Sequence, residues 1–176
     1  MVEVRVARLG LDSASKTYVV ILQEKHGDRL LPIWIGQPEA ESIVMQMNGI
    51  KRERPLTHDL CQSLIVGLGG TLRRVQITKV EKSTYYAELH VNRGDEVVQI
   101  DARPSDSIAI ALRLSAPIFA QESLLTTIDT DGDESDYDAP GGEPGTEAPS
   151  AEELSAEQLK AHLEKLRPED FGKFTP

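Results

Sequence analysis

The hydrophobic pattern predicts a β-strand at the start of the chain, because Val2, Val4 and Val6 alternate with charged or small residues over residues 2–9. A period of two residues is typical of a strand that buries one face. Six further segments, alternating or rich in β-branched and aromatic residues, are predicted to be strands: 17–23, 29–35, 71–81, 84–92, 95–101 and 117–120. Pro32 has no backbone N–H to donate, so the third strand is predicted to lie at a sheet edge or to be bulged there.

Three segments have the apolar spacing of helices, at 37–49, 57–70 and 104–115. Pro38 lies in the first turn of the first helix, where a missing N–H is tolerated. Thr57 is predicted to cap the second helix. The apolar residues of that helix are predicted to face inward: Leu60, Cys61, Leu64, Ile65 and Leu68.

These elements predict an α+β fold, a compact mixed sheet with about three helices. Each half of the segment 1–125 reads as three strands followed by a helix, which suggests a duplicated β3α unit. Ile35-Gly36 precedes Ser42 by the same spacing that Ile100-Asp101 precedes Ser107. The matching residues are common apolar types, so coincidence is an alternative to duplication.

Charge divides the 176 residues into a body and a tail. Residues 1–125 hold equal numbers of basic and acidic side chains, so the formal charge of −10 belongs to residues 126–176. The stretch 126–153 has ten acidic residues and no basic one, and we expect it to be a disordered linker. A capping-box pattern at Ser155 and Gln158 then predicts a short helix with an apolar stripe within 154–176.

Several protein classes are excluded or disfavoured by composition. No apolar run approaches the roughly 18 residues that span a bilayer, so no membrane association is expected. The first ten residues lack an apolar signal-peptide core, which favours a cytoplasmic location. One cysteine, Cys61, excludes an internal disulfide and a finger-type zinc site, and it is expected to be a small core thiol.

Two polar stretches lie where helices begin, residues 54–59 and 101–106. Helix N-termini offer free N–H groups and a positive dipole end, so both stretches are candidate phosphate sites. Arg54 and Arg103 are candidate phosphate clamps, with Thr57 and Ser105 beside them. The structural alternative is that Thr57 and Ser105 are ordinary caps, and that the arginines form ion pairs with nearby acids.

A second hypothesis concerns phosphodiester hydrolysis. His58 with the carboxylates of Glu39, Asp59, Asp101 and Asp106 is a candidate general-base or divalent-metal site. Such a site requires the side chains to converge in space, which spacing along the chain does not establish. Ordinary first-turn acids at helix starts explain Asp59 and Asp106 equally well.

Long ordered motifs in the body resemble the bifunctional nuclease domain family. The motifs are LPIWIG (31–36) followed by Glu39-Ala40, then RPLTHDL (54–60), IDARPSDSIAIALR (100–113) and APIF (116–119). The segment LEKLRPEDFGKF (163–174) is also similar to the C-terminal tail of bacterial members. The resemblance covers nearly all of residues 1–125 and implies a compact mixed α/β domain that self-associates.

The resemblance implies a metal-assisted nuclease acting on RNA or DNA, because plant members are described as cleaving both. The family's polar positions carry over as Glu39, Arg54, Thr57, His58, Asp59, Asp101, Arg103, Ser105 and Asp106. The roles expected for them are His58 as base or ligand, Asp101 and Asp106 as ligands of Mg²⁺ or Mn²⁺, and arginine clamps for phosphate. A homo-oligomer, with a dimer favoured, is expected.

The body itself is electrically neutral, whereas nucleic-acid-binding domains usually present a basic face. Lys51, Arg52 and Arg54, with Arg73 and Arg74, would form a local patch only if they meet in space. The alternative function is therefore a non-catalytic regulatory module that binds a small anionic ligand or a protein partner.

Overall fold

The computed structural model describes residues 1–12 and 17–127, which form a seven-stranded mixed sheet with three α-helices. The elements in chain order are β1 (Val2–Asp12), β2 (Thr17–Glu24), β3 (Leu30–Ile35), α1 (Gln37–Met47), α2 (Thr57–Gly67), β4 (Gly70–Glu81), β5 (Thr84–Arg93), β6 (Glu96–Ala102), α3 (Pro104–Leu114), β7 (Ile118–Ala120) and a 3-10 turn at Glu122–Leu124. The predicted α+β class is confirmed. Every predicted strand and helix of the body is present.

The sheet consists of two antiparallel three-strand meanders joined through β7. The strand order is β3-β2-β1-β7-β4-β5-β6, in which β7 runs antiparallel to β1 and parallel to β4. Pro32 lies on β3, which is an edge strand as expected from its missing N–H. The opposite edge is β6.

The arrangement agrees with the predicted β3α duplication, since each meander is followed by a helix. The predicted alignment of Ser42 with Ser107 sets two buried serines at corresponding positions, each followed by a completely buried isoleucine. Ser42 is the sixth residue of α1 and Ser107 the fourth of α3. Counting from the helix starts instead makes Glu39 correspond to Asp106, each the third residue of its helix.

All three helices pack on one face of the sheet, with α3 between α1 and α2. Helix α3 contacts both other helices as well as β4 and β5. Its Ile108 and Ala109 are completely buried, together with Leu22, Ile43 and Ile77 from neighbouring elements. The core therefore lies between the sheet and α1 and α3.

Helix α2 departs from the expectation of an inward apolar face. None of its residues is fully buried, and Leu60, Leu64 and Leu68 are exposed. Only Cys61 and Ile65 pack against the core, because α2 lies at the rim of the helix layer and contacts little beyond α3 and β4. The prediction that all its apolar residues face inward was wrong.

Two predicted caps also differ. The N-cap of α2 is Leu56, so Thr57 is the first helical residue, and the N-cap of α3 is Arg103, so Ser105 lies inside the helix. At the other end of the body, Thr126 exchanges backbone hydrogen bonds of 2.7 and 2.8 Å with Leu30. The boundary after Leu125 stays a prediction, and both the rest of the acidic linker and the helix predicted within 154–176 lie outside the described residues.

Within residues 1–12 and 17–127, no helix combines the length and the apolar character needed to cross a bilayer.

Candidate functional site

The first turns of the three helices meet at one place in the fold. Each helix carries an acid as its third residue, Glu39 in α1, Asp59 in α2 and Asp106 in α3. Acids are favoured there by the positive end of the helix dipole. Gly36 precedes α1, and a Cβ atom added to it would lie 2.5 Å from Oε2 of Glu39, so glycine leaves room for that carboxylate.

Five side chains at or near these helix starts form one chain of contacts, which we call the helix-terminus network. Ser42 Oγ lies 2.8 Å from His58 Nδ1, and His58 Nε2 lies 3.0 Å from Asp106 Oδ1. Arg103 donates from Nε to Asp106 Oδ2 at 2.8 Å and contacts Glu39 Oε1 from Nη2 at 2.7 Å. The network therefore joins all three helices, and it brings four of the candidate residues together: Glu39, His58, Arg103 and Asp106.

The ionisation state of Asp106 determines which nitrogen of the His58 ring carries the hydrogen. Burial raises the pKa of Asp106, but hydrogen bonds from Arg103 and His58 and their charges outweigh it, so this pKa is lowered. An ionised carboxylate only accepts hydrogen bonds, which favours the tautomer with hydrogen on Nε2 of His58. The Ser42 hydroxyl then donates to Nδ1, and both ring nitrogens are engaged.

Arg103 is the exposed member of the network. Its side chain is 66% exposed although it bridges two carboxylates. Hydrogen bonds to Asp106 and Glu39 raise its pKa, so the guanidinium stays cationic. Its Nε and Nη2 donors are bound to the two carboxylates, whereas Nη1 has no partner among the described residues and can donate to a phosphate oxygen.

Asp59 takes a different partner. Its Oδ1 accepts from Nε of Arg113 at 2.6 Å, and its Oδ2 accepts from the backbone N–H of Leu56 at 2.8 Å. Burial raises the pKa of Asp59, but these two hydrogen bonds and the neighbouring charges lower it overall. Arg113 is almost completely buried and also donates to the carbonyl of Ala109 at 2.9 Å. This ion pair fixes the start of α2 to the end of α3.

The remaining predicted residues lie outside the network. Arg54 and Thr57 are exposed just before and at the start of α2, and neither side chain makes a hydrogen bond or ion pair with the described residues. Ser105 is buried in the first turn of α3. Asp101 lies opposite Glu88 in the β5–β6 strand pair. Side chains alternate along a strand and the neighbouring Leu89 packs in the core, so Asp101 is on the sheet face away from the helices and outside the network.

The donor chemistry permits one kind of metal site. No cluster of three or more His, Cys, Asp or Glu side chains with metal-binding geometry occurs in the described part of the chain. Mg²⁺, however, is usually bound by one or two carboxylates together with substrate phosphates and water. Glu39 and Asp106, both held by Arg103, are the residues that would bind such an ion.

Two structurally important residues were not among the candidates, Ser42 and Arg113. Both lie on faces of α1 and α3 that are otherwise apolar and buried. A polar group at such a position needs a hydrogen-bonding partner, and that requirement is the signal that would have identified both residues. Their partners, His58 and Asp59, are on α2, far away in sequence.

A sequence model described as "Bifunctional nuclease domain" matches residues 20–132. The chain is also 41% identical over 172 residues to an uncharacterized protein of Mycobacterium tuberculosis. That match covers 97% of this chain and 98% of the mycobacterial protein.

Plant proteins match a shorter segment. Bifunctional nuclease 1 of Oryza sativa subsp. japonica is 31% identical over 117 residues, which are 65% of this chain and 35% of the rice protein. Bifunctional nuclease 1 of Arabidopsis thaliana is 28% identical over 116 residues, 64% of this chain and 36% of its own length. The shared part of the plant proteins is thus about a third of each.

Proposed function

The chain belongs to the bifunctional nuclease domain family, and from that premise we propose that it cleaves phosphodiester bonds of RNA or DNA at the helix-terminus network. One observation carries the proposal. An exposed guanidinium is held by two carboxylates beside a hydrogen-bonded His–Asp pair. Plant relatives that share this domain are named bifunctional nucleases, which supports the same reaction class.

Arg103 is proposed to bind the scissile phosphate. Its guanidinium is already oriented by Asp106 and Glu39, and its Nη1 group, which none of the described residues binds, can donate hydrogen bonds to phosphate oxygens. Lys51, Arg52 and Arg54 precede α2 and are exposed, so they are proposed to contact the flanking nucleic-acid backbone. When Arg103 turns toward phosphate, the carboxylates of Glu39 and Asp106 lose a cationic partner.

The two carboxylates are proposed to hold a Mg²⁺ or Mn²⁺ ion that arrives with the substrate phosphate. When bound, such an ion supplies Lewis-acid stabilisation and an activated water. His58 is proposed to act on Asp106 rather than on substrate, because its Nε2–H fixes the carboxylate and its Nδ1 is occupied by Ser42. His58 and Ser42 are therefore positioning residues in this proposal.

The test is an assay of purified full chain on labelled RNA and DNA, with EDTA and with added Mg²⁺ or Mn²⁺. We expect metal-dependent cleavage that falls at least about 100-fold in Asp106→Asn, since this change removes a carboxylate that would hold the ion together with an anchor of Arg103. Glu39→Gln should raise the metal concentration that half-maximal cleavage requires, and Arg103→Ala should mainly raise KM. His58→Gln should lower kcat with little change in KM.

Arg93→Ala provides the matched control, because Arg93 is an exposed arginine on the β5–β6 hairpin, away from the network. It removes the same charge as Arg103→Ala and should leave cleavage unchanged. Full activity of folded Asp106→Asn would contradict the site. Absence of cleavage by the wild type with every metal would contradict the nuclease function.

The alternative function, a non-catalytic module that binds an anion, is favoured by a specific feature. Every charged group of the network is already paired, and both His58 nitrogens are engaged. In that case a small phosphorylated ligand would bind Arg103 without being cleaved. Binding that is lost in Arg103→Ala, together with inactivity in the assay above, would support this function.

We also propose that the chain forms a homodimer through β6. The β3 edge carries Pro32 and is partly covered by Thr126, whereas β6 has a free outer edge among the described residues. Its Val97, Val98 and Ile100 are exposed, and an antiparallel second copy would pair that edge. Val98→Lys with Ile100→Lys should give a monomer by light scattering; an unchanged mass would contradict this interface.

The cytoplasmic location stays a prediction.

A further inference from the structure

Helix α2 presents a row of large apolar side chains away from the core. Leu56, Leu60, Leu64 and Leu68 recur at four-residue spacing and are between 39% and 70% exposed. We call these four residues the α2 leucine stripe. Because residues four apart lie on the same face of a helix, the stripe is continuous along the whole length of α2. Exposed apolar patches of this kind mark interaction surfaces.

The chain continues for 49 residues past Thr127, and one segment there matches this surface in length and chemistry. Leu159, Leu163 and Leu166 repeat at helical spacing within 155–166, after the capping-box residues Ser155 and Gln158. We propose that residues 155–166 form a helix that packs its leucines along the α2 leucine stripe of the same chain.

The connecting segment is long enough for this contact. The described part ends beside Leu30, where Thr126 is bound. Residues 128–154 are rich in Gly, Pro, Ser and Asp. A linker of 27 residues with random-coil dimensions spans about 30 Å r.m.s.. That span is comparable to the diameter of the body, so tethering keeps the segment at about millimolar effective concentration near α2.

Charge complementarity indicates how the helix of residues 155–166 is oriented relative to α2. Lys51, Arg52 and Arg54 lie immediately before α2, and no ion pair occupies them among the described residues. The acidic run 129–153 ends just before residue 155. A helix parallel to α2 brings the end of this run next to the three basic residues, and the leucines alongside Leu60 and Leu64.

The comparisons with other proteins fit this assignment. The match to the mycobacterial protein covers 97% of this chain, so it includes most of residues 128–176. The plant matches cover 65% or less, so they leave at least a third of this chain unmatched. A tail that accompanies the domain over the full length of a relative is suited to an intramolecular contact.

Hydrogen–deuterium exchange of the full chain tests the proposal. We expect residues 155–166 to exchange roughly tenfold more slowly than a free helix, because a docked helix opens less often. The protection should be independent of protein concentration, as expected for an intramolecular contact. It should be lost in Leu60→Glu with Leu64→Glu, and equally in Leu159→Glu with Leu163→Glu.

The matched control is Gln158→Glu with Ala161→Glu, which adds the same two charges on the other face of the segment. It should retain protection. Loss of protection in the control, or no protection in the wild type, would overturn the proposal. Protection that increases with protein concentration would assign the stripe to a second copy, and would overturn the intramolecular contact.

Discussion

Helices α2 and α3 have the same length and opposite environments. Each has eleven residues, yet α3 buries eight of them and α2 none. Helix α3 lies between α1 and α2 above β4 and β5, whereas α2 occupies the rim. An apolar helix face thus identifies a surface that needs covering. The position of the helix in the helix layer decides whether the sheet and the neighbouring helices cover that face.

The two helices are nevertheless connected by charge. Arg113 at the end of α3 binds Asp59 at the start of α2, and Asp106 at the start of α3 binds His58 of α2. Because α2 has few core contacts, these polar contacts carry much of its attachment. The following predictions test how far α2 depends on them.

The largest expected effect is from Arg113→Ala. Arg113 is almost completely buried, so its removal breaks the pair with Asp59 and the hydrogen bond to the Ala109 carbonyl and loses the packing of the guanidinium, at a cost of about 3 kcal/mol or more. Arg103→Ala, at the exposed end of α3, should cost about 1 kcal/mol or less. Urea unfolding of both variants measures the difference, and equal losses would show that Arg113 does not anchor α2.

Core truncation should distinguish the helices directly. Ile108→Ala in α3 should lower the free energy of unfolding by about 2–5 kcal/mol, since Ile108 is completely buried. Leu64→Ala in α2 should cost under about 1 kcal/mol in a chain that ends at Thr127, because half of that side chain is then exposed. Thermal or urea unfolding provides the measurement. A comparable loss in both would mean that α2 is part of the core.

The decrease in folding stability at low pH should depend on Asp59 and Asp106, the two aspartates that bind α2 to α3. The pKa values of Asp59 and Asp106 are lowered in the folded state, so their contribution is present above the unfolded carboxyl value of about 4. It is lost as pH falls through the folded values.

Urea midpoints between pH 7 and pH 3 should therefore decrease toward the acid end. Asp59→Asn should flatten this decrease at the cost of lower stability at pH 7. A wild-type midpoint that does not change with pH would contradict the assignment of these ion pairs.

The smallest expected effect concerns nucleic-acid affinity. Deleting residues 128–176 takes the formal charge from −10 to zero and removes the proposed cover of α2. The deletion begins after Thr127 because Thr126 pairs with Leu30. The truncated chain should bind single-stranded RNA or DNA several-fold more tightly, since the acidic run no longer competes for Lys51, Arg52 and Arg54.

The difference between the two chains should shrink between about 50 and 200 mM salt, as electrostatic competition is screened. Anisotropy titrations at both salt concentrations measure it. Equal affinities at low salt would mean that the tail does not shield the basic residues.

The elements of the body were predictable because their signals are local. Alternating valines indicated β1, Pro32 indicated an edge strand, and the prolines at 38 and 104 marked helix starts. The site was predictable only in part. Glu39, His58, Arg103 and Asp106 were candidates as individual residues, whereas Asp101 and Arg54 were equally good candidates and lie outside the network.

Local sequence signals were enough to locate the helix starts to within about one residue and to place an acid in each first turn, because the backbone N–H groups and dipole of a helix start act within one turn. What those acids bind depends on the packing of the helices against one another. Glu39 and Asp106 share Arg103, whereas Asp59 pairs with the buried Arg113. The exposure of the α2 leucines likewise followed from the tertiary structure, since burial depends on which elements pack against a helix face. The spacing of residues along one helix carries no information about its neighbours.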